Sequence, residues 1–178
     1  MLYYRGKSIG QQRMHMIRIA FALALALGLT ACSPSKFLKY DGPAVTSVQV
    51  QKADRKMYLL HDDQVLSSYD VDLGFAPQGP KQVEGDGRTP EGSYFINRRN
   101  PDSRYHLALG ISYPSDADRE AALLAGQPPG GDIFIHGRSD WKGKNKGDWT
   151  AGCIAVKDRE IELIYAMVND GTQIDILP

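Results

Sequence analysis

The chain is short of the features that mark several large protein classes. It has 2 cysteines in 178 residues, so at most one disulfide is available. No group of His, Cys and Asp has metal-ligand spacing, which argues against a zinc site, and no cofactor is called for. Lys and Arg balance Asp and Glu at 21 each. Without a basic excess the chain is not a polybasic nucleic-acid binder. No internal repeat is visible, which leaves one domain with a sizeable core as the expectation. Long apolar runs are also missing. Ile19 to Leu29 is apolar but falls short of the roughly 20 residues that span a bilayer.

That stretch fits the apolar region of a secretory signal instead. Met14 or Met16 can start it, with Arg18 as the positive flank, and residues 1–13 then read as an over-long start. Leu29-Thr30-Ala31-Cys32 closes it and resembles the lipobox of bacterial lipoproteins. The resemblance implies cleavage after residue 31, a lipid on Cys32 and a bacterial periplasmic location at a membrane. Ser33 after Cys32 favours the outer membrane. The plainer alternative is an ordinary signal peptide with an incidental cysteine. Residues 32–43 then form a lipidated tether and 44–178 the folded domain. Residues 1–31 hold four basic residues and no acid, so the remainder has 17 basic against 21 acidic residues, a balance of −4. If Cys32 carries lipid, Cys153 is left as a free thiol in an oxidising compartment. A Cys32–Cys153 disulfide and a buried structural cysteine are the rivals.

The pattern along the chain is strand-rich. Val45 to Gln51 alternates, and Met57 to Leu60 with Val65 to Leu73 predicts a hairpin around a four-residue loop, His61 to Gln64. Residues 74–92 are rich in Gly and Pro and read as loop. Ser93 to Ile96 and His106 to Ser112 are further strands, and Asp116 to Ala125 is a short helix capped by Ser115 or Asp116. Ile133 to Ile135 and Ile154 to Val156 are short apolar runs, hence buried strands. Asp158 to Val168 places Ile161, Ile164, Tyr165 and Val168 at helical spacing, with Asp158 as the expected N-cap. Ile174 and Ile176 sit in a last strand.

The chemistry centres on Ile133-Phe134-Ile135-His136-Gly137 and Thr150-Ala151-Gly152-Cys153-Ile154-Ala155-Val156. A thiol attacking a carbonyl needs a base, an orienter for that base and donors for the oxyanion. His136 ends a buried strand and is the base candidate. Gly137 lacks a side chain, so its carbonyl can approach the ring. The Gly152 and Cys153 amides are the expected oxyanion donors. A hydrogen-bonded core histidine beside a buried cysteine is the bland alternative. His106, at a strand start, is a weaker candidate, and His61 reads as exposed loop. Arg138, Lys142, Lys144 and Lys146 with Trp141 form a basic loop, read as a solvated face or as a lid for carboxylates. Gly85 to Gly92 lacks the Gly-Lys-Ser/Thr of a phosphate loop and reads as a stiff cleft wall.

Together, His136-Gly137, Thr150-Ala151-Gly152-Cys153-Ile154 and the upstream Gly85-Asp86-Gly87-Arg88-Thr89-Pro90-Glu91-Gly92-Ser93-Tyr94 resemble the YkuD family of L,D-transpeptidases. The resemblance runs from about Val45 to Pro178. It implies a β-rich α+β fold, a single YkuD-like domain built as a mixed β-sandwich with short helices. It also implies peptidoglycan stem peptides as substrate. Cys153 maps onto the nucleophile, His136 onto the base and Gly137 onto the carbonyl that orients it. Arg138, Thr150 and His106 become candidate substrate contacts. The implied reaction is attack on the carbonyl of the L-centre of diaminopimelate in a tetrapeptide stem, followed by transfer to an amine. Where the family usually has Ser-His-Gly-Cys, this chain has Thr-Ala-Gly-Cys. Asp148 to Val156 resembles instead a subgroup that includes hydrolases of the link between peptidoglycan and a tethered lipoprotein. Water as acceptor, giving a carboxypeptidase or amidase, and a non-catalytic peptidoglycan-binding lipoprotein are the alternatives.

Overall fold

The computed structural model describes residues 35–138 and 147–178. The expected signal segment, Cys32 and the basic residues Lys142, Lys144 and Lys146 lie outside the described residues, as does Trp141. The chain divides into Met1–Ser35 and a compact unit, Lys36–Pro178. Most of the stretch read as tether therefore belongs to the compact unit. No helix among the described residues is long and apolar enough to cross a membrane.

Among the described residues the unit has eight strands and two helices. They are β1 (Ser47–Gln51), β2 (Lys56–His61), β3 (Gln64–Asp70), β4 (Gly92–Asn100), β5 (Ala108–Ile111), α1 (Asp116–Leu124), β6 (Phe134–His136), β7 (Ile154–Ala155), α2 (Asp158–Met167) and β8 (Gln173–Leu177). The strands form one sheet in the order β3-β2-β1-β8-β4-β5-β6-β7. β1 runs parallel to β8 and β6 parallel to β7, and the other neighbours are antiparallel.

Alternation explains the first half of the sheet. Val48 and Val50 of β1, Met57 and Leu59 of β2, and Ile174 and Ile176 of β8 all point inward and are fully or almost fully buried. Each such side chain contributes roughly 1.5–3 kcal/mol by leaving water. The hairpin loop is tighter than the sequence suggests. His61 pairs with Gln64, leaving only Asp62 and Asp63 in the turn. Asp62 takes the positive φ (51°) that such two-residue turns call for. His61 is half-buried, with Nδ1 2.8 Å from the Ala44 carbonyl.

β4 is longer than expected and serves both halves. Gly92–Phe95 pairs with β8, and Ile96–Asn100 with β5, with a register break between Ile96 and Arg98. Such a break bends a strand. The two ends of the sheet then meet. The chain leaving β3 exchanges hydrogen bonds with β7, Asp72 N–H to Ala155 O (2.9 Å) and Ala155 N–H to Asp72 O (2.8 Å). Phe75 N–H continues to Thr150 O (2.8 Å). The mixed sandwich is thus one curled sheet whose second half carries β5, β6 and β7.

The helices start differently from each other. Ser115 caps α1 in a reciprocal pair with Asp118. At α2 the N-cap is Lys157, not Asp158, and the Glu160 carboxylate accepts the Lys157 N–H (2.9 Å). The Asp158 carboxylate is drawn to the Arg138 N–H instead (2.8 Å), tying the helix start to the residue after His136-Gly137. At the other end Arg99 donates to the carbonyls of Tyr165 and Val168, a cation on a helix C-terminus.

Candidate active site

His136 is fixed before its chemistry begins. As the last residue of β6 it pairs with Ala108 on one side and Ala155 on the other. The residue is 4% exposed. Nδ1 lies 2.6 Å from the Gly137 carbonyl. A carbonyl only accepts, so Nδ1 carries the proton and Nε2 is the acceptor of the neutral ring. Tyr105 stacks on the imidazole (centroids 4.4 Å, 25°), and Trp149 meets it edge-on (5.9 Å, 69°). Burial pushes the imidazole below its usual 6.5, partly offset by the Gly137 bond.

Glycine is required at 137 because a Cβ there would lie 2.5 Å from Asp158 Oδ1 and 2.9 Å from the Tyr105 carbonyl. It is required at 152 for a different reason. Gly152 has φ +137°, and its Cβ would lie 2.7 Å from the Arg88 carbonyl. The Gly85–Gly92 loop therefore packs directly against the nucleophile turn. Asp86 shapes that loop by accepting from the Gln82, Val83 and Arg88 N–H groups. Thr89 accepts the Gly74 N–H (3.0 Å). The loop backs the Gly152 turn, and none of its residues lines the cavity shared by His136 and Cys153.

The thiol sits on a turn braced by Thr150. Its hydroxyl accepts the Gly152 N–H (3.1 Å) and donates to the Cys153 carbonyl (2.6 Å). The Gly152 N–H, expected as an oxyanion donor, is thus taken. The Cys153 N–H has no hydrogen-bond partner among the described residues and remains in that role. Cys153 is a free thiol whose Sγ–H donates to the Asp132 carbonyl (3.5 Å). Burial pushes this thiol above its usual 9.0, opposed by the Phe134 N–H. Burial thus favours the uncharged form of both groups.

His136 and Cys153 wall the same cavity, of about 270 Å³, with Arg104, Tyr105, Asp132 and Phe134. The three expected substrate contacts do not line it. Thr150 is spent on its turn. The Arg138 guanidinium pairs with Asp72, which also accepts the Trp149 indole N–H (3.0 Å), so Arg138 supports the ring beside His136. His106 turns its ring to Glu162 on α2 (2.8 Å). Tyr105, Trp149, Asp72 and Asp132 are the site residues that sequence reasoning missed. Tyr105 and Trp149 meet the His136 ring, Asp132 accepts from Cys153, and Asp72 acts through Trp149 and Arg138. Among the described residues no cluster could hold a metal ion.

Residues 46–176 match the model of the YkuD family, the L,D-transpeptidase catalytic domain. The chain belongs to this family. It is similar to the Escherichia coli K12 protein named "Putative L,D-transpeptidase YafK", 32% identical over 128 residues, 68% of this chain and 46% of that one. Among solved structures it is similar to the helical cell shape determining protein Pgp2 of Campylobacter jejuni (TM-score 0.58, 25% identity, 79% of this chain and 50% of that one). An L,D-transpeptidase from Mycobacterium smegmatis shares the fold (TM-score 0.52, 17% identity, 76% and 59%). The chain spans about half the length of the curated relatives it matches. The YkuD match covers every strand of the curled sheet except the last residue of β8, and it includes His136-Gly137 and Gly152-Cys153.

Proposed function

We propose that this YkuD domain is a peptidoglycan L,D-transpeptidase working through a Cys153 thioester. The observation that carries the reading is a cavity walled by both Cys153 and His136, with the histidine tautomer set by Gly137 so that Nε2 is its acceptor. The stem-peptide carbonyl is attacked by Sγ as the thiol proton passes to Nε2. The Cys153 N–H meets the developing oxyanion. The imidazolium then returns the proton to the leaving D-Ala amine, and the acyl group stays on sulfur. An acceptor amine takes the acyl group, and His136 accepts the amine's proton as the thiolate leaves and is reprotonated.

Hydrolysis is the second reading. Ala151 is exposed where the family usually carries a histidine, so the contact that histidine would make with substrate or acceptor is missing here. The lipobox-like Leu29 to Cys32 supports a periplasmic protein tethered by lipid, with the outer membrane favoured by Ser33. Pgp2 determines cell shape in its own organism, and a part in setting cell shape follows for this chain by similarity.

Defined tetrapeptide muropeptides mixed with purified protein separate the readings by mass. Crosslinked dimers or D-amino-acid exchange support transfer. Tripeptides alone support hydrolysis. Unchanged muropeptides would leave a binding protein that keeps the fold.

A further inference from the structure

Loop 101–106 forms one wall of the cavity and presents Tyr105 to His136. Its shape is unusual at one point. His106 has φ +75°, a left-handed conformation that costs free energy in a residue with a side chain. Such a conformation persists only where the surroundings over-determine it. The loop's own bonds, Asp102 N–H to Asn100 Oδ1 (3.0 Å) and Tyr105 N–H to Ser103 Oγ (3.1 Å), act upstream of His106. Two outside contacts act on His106 itself. Its ring is held by Glu162, and its carbonyl accepts from Lys36 Nζ (3.3 Å). The same ammonium donates to the Pro101 carbonyl (2.6 Å), so one cation closes both ends of the loop. Lys36 stands four residues after Cys32, on the segment expected to lead from the anchor.

We propose that Lys36 is a positioning residue for the site. By bridging the Pro101 and His106 carbonyls it holds loop 101–106 in the shape that lays Tyr105 on the His136 ring. The connection between anchor and domain is then part of the active-site scaffold rather than a passive leash. A lysine suits this role because its three donors can meet two carbonyls at once. Neither the family match nor the Cys–His pair requires it. The effect on turnover rests on the transpeptidase reading, whereas the effect on the imidazole does not.

The test compares purified K36M, K36R and K39M proteins with wild type. Lys39 is exposed, so K39M removes the same charge nearby without touching the loop. Two quantities are read, the His136 titration midpoint by NMR and the kcat and KM for a tetrapeptide muropeptide. With the loop released, water reaches the ring. K36M is expected to raise the His136 midpoint toward 6.5 and to lower kcat about tenfold, with a smaller change in KM. K36R is expected to restore both, and K39M to change neither. A folded K36M protein with the wild-type midpoint and kcat within twofold overturns the proposal. So does K39M matching K36M. Should K36M not melt cooperatively, K36Q is read by the same criteria. A wild-type protein that turns over no muropeptide defeats the transpeptidase reading alone, and the midpoint still decides the role of Lys36.

Discussion

The two halves of the curled sheet are built on different rules. The half formed by β1, β2, β3 and β8 has strands of five to seven residues, with inward apolar and outward polar positions. The half formed by β5, β6 and β7 has strands of four, three and two residues, nearly all buried. Those short strands have little ladder to hold them. Side chains bonded to backbone replace it, locally at Thr150 and across long sequence separations at Asp158 and Lys36. The first half is stabilised by area, and the second is specified by a few contacts. Substitutions in the first half should therefore lower stability and spare chemistry, while small changes in the second should reach the site.

The largest expected effect tests the second half. Gly152→Ala forces a Cβ onto the Arg88 carbonyl at a left-handed φ. It should destabilise the domain by roughly 2–4 kcal/mol and abolish muropeptide turnover. A melting curve and an assay on the same sample check both. Wild-type turnover in this variant would show that the nucleophile turn is not held as described.

A matching test in the first half is Ile174→Ala, which opens a cavity under β8 at a cost of about 2–4 kcal/mol. Below its lowered melting temperature it should keep kcat. If kcat falls as it does for Gly152→Ala, the halves are not separable.

Thr150→Val removes one hydroxyl, freeing the Gly152 N–H and the Cys153 carbonyl. It should cost about 1–2 kcal/mol and lower kcat about tenfold, while Thr150→Ser should stay near wild type. Loss in Thr150→Ser with Thr150→Val near wild type would point to the Thr150 methyl group rather than the bracing hydroxyl.

The pH dependence sharpens the contrast in charge state. With the imidazole below 6.5 and the thiol above 9.0, the reactive neutral pair spans that interval. The acid limb of kcat/KM should lie below pH 6.5, and alkylation of Cys153 should be slow at neutral pH and still climbing at pH 9. A resting thiolate–imidazolium pair would alkylate fast at neutral pH. Stability should follow with a definite sign. Below 6.5 the unfolded chain takes up a proton that folded His136 refuses, so stability is lost as pH falls toward the folded value.

The smallest effect belongs to the exposed hairpin. The Lys56–Asp70 pair lies in water, and Lys56→Ala should leave the melting temperature and kcat unchanged. A drop of several degrees would mean that surface pairing, not buried area, holds the first half.

The same division explains what could be read from the chain alone. Val48, Val50, Ile174 and Ile176 announce their strands because alternation is local. His136-Gly137 and Gly152-Cys153 were legible because the family pattern is local too. The Gly137 carbonyl could be assigned because it adjoins the ring it orients. Lys157 as cap was hidden because Asp158 is drawn across space to the Arg138 N–H. Thr150, Arg138 and His106 were read as facing substrate, yet each is spent on Cys153, Asp72 or Glu162. Residue type shows that a group can bond, and only the fold shows to what. Tyr105 and Trp149 carry no signal at all until the sheet curls and brings them to the ring.

The central claim is that Cys153 takes the acyl group with His136 as its base. Rapid mixing with a tetrapeptide muropeptide, acid quench and intact mass measurement tests it most directly. The account predicts an adduct of the stem peptide less one D-Ala, mapped to Cys153, absent in Cys153→Ala and slowed at least a hundredfold in His136→Gln. An adduct that persists in Cys153→Ala, or product formed at the wild-type rate by that variant, would contradict it.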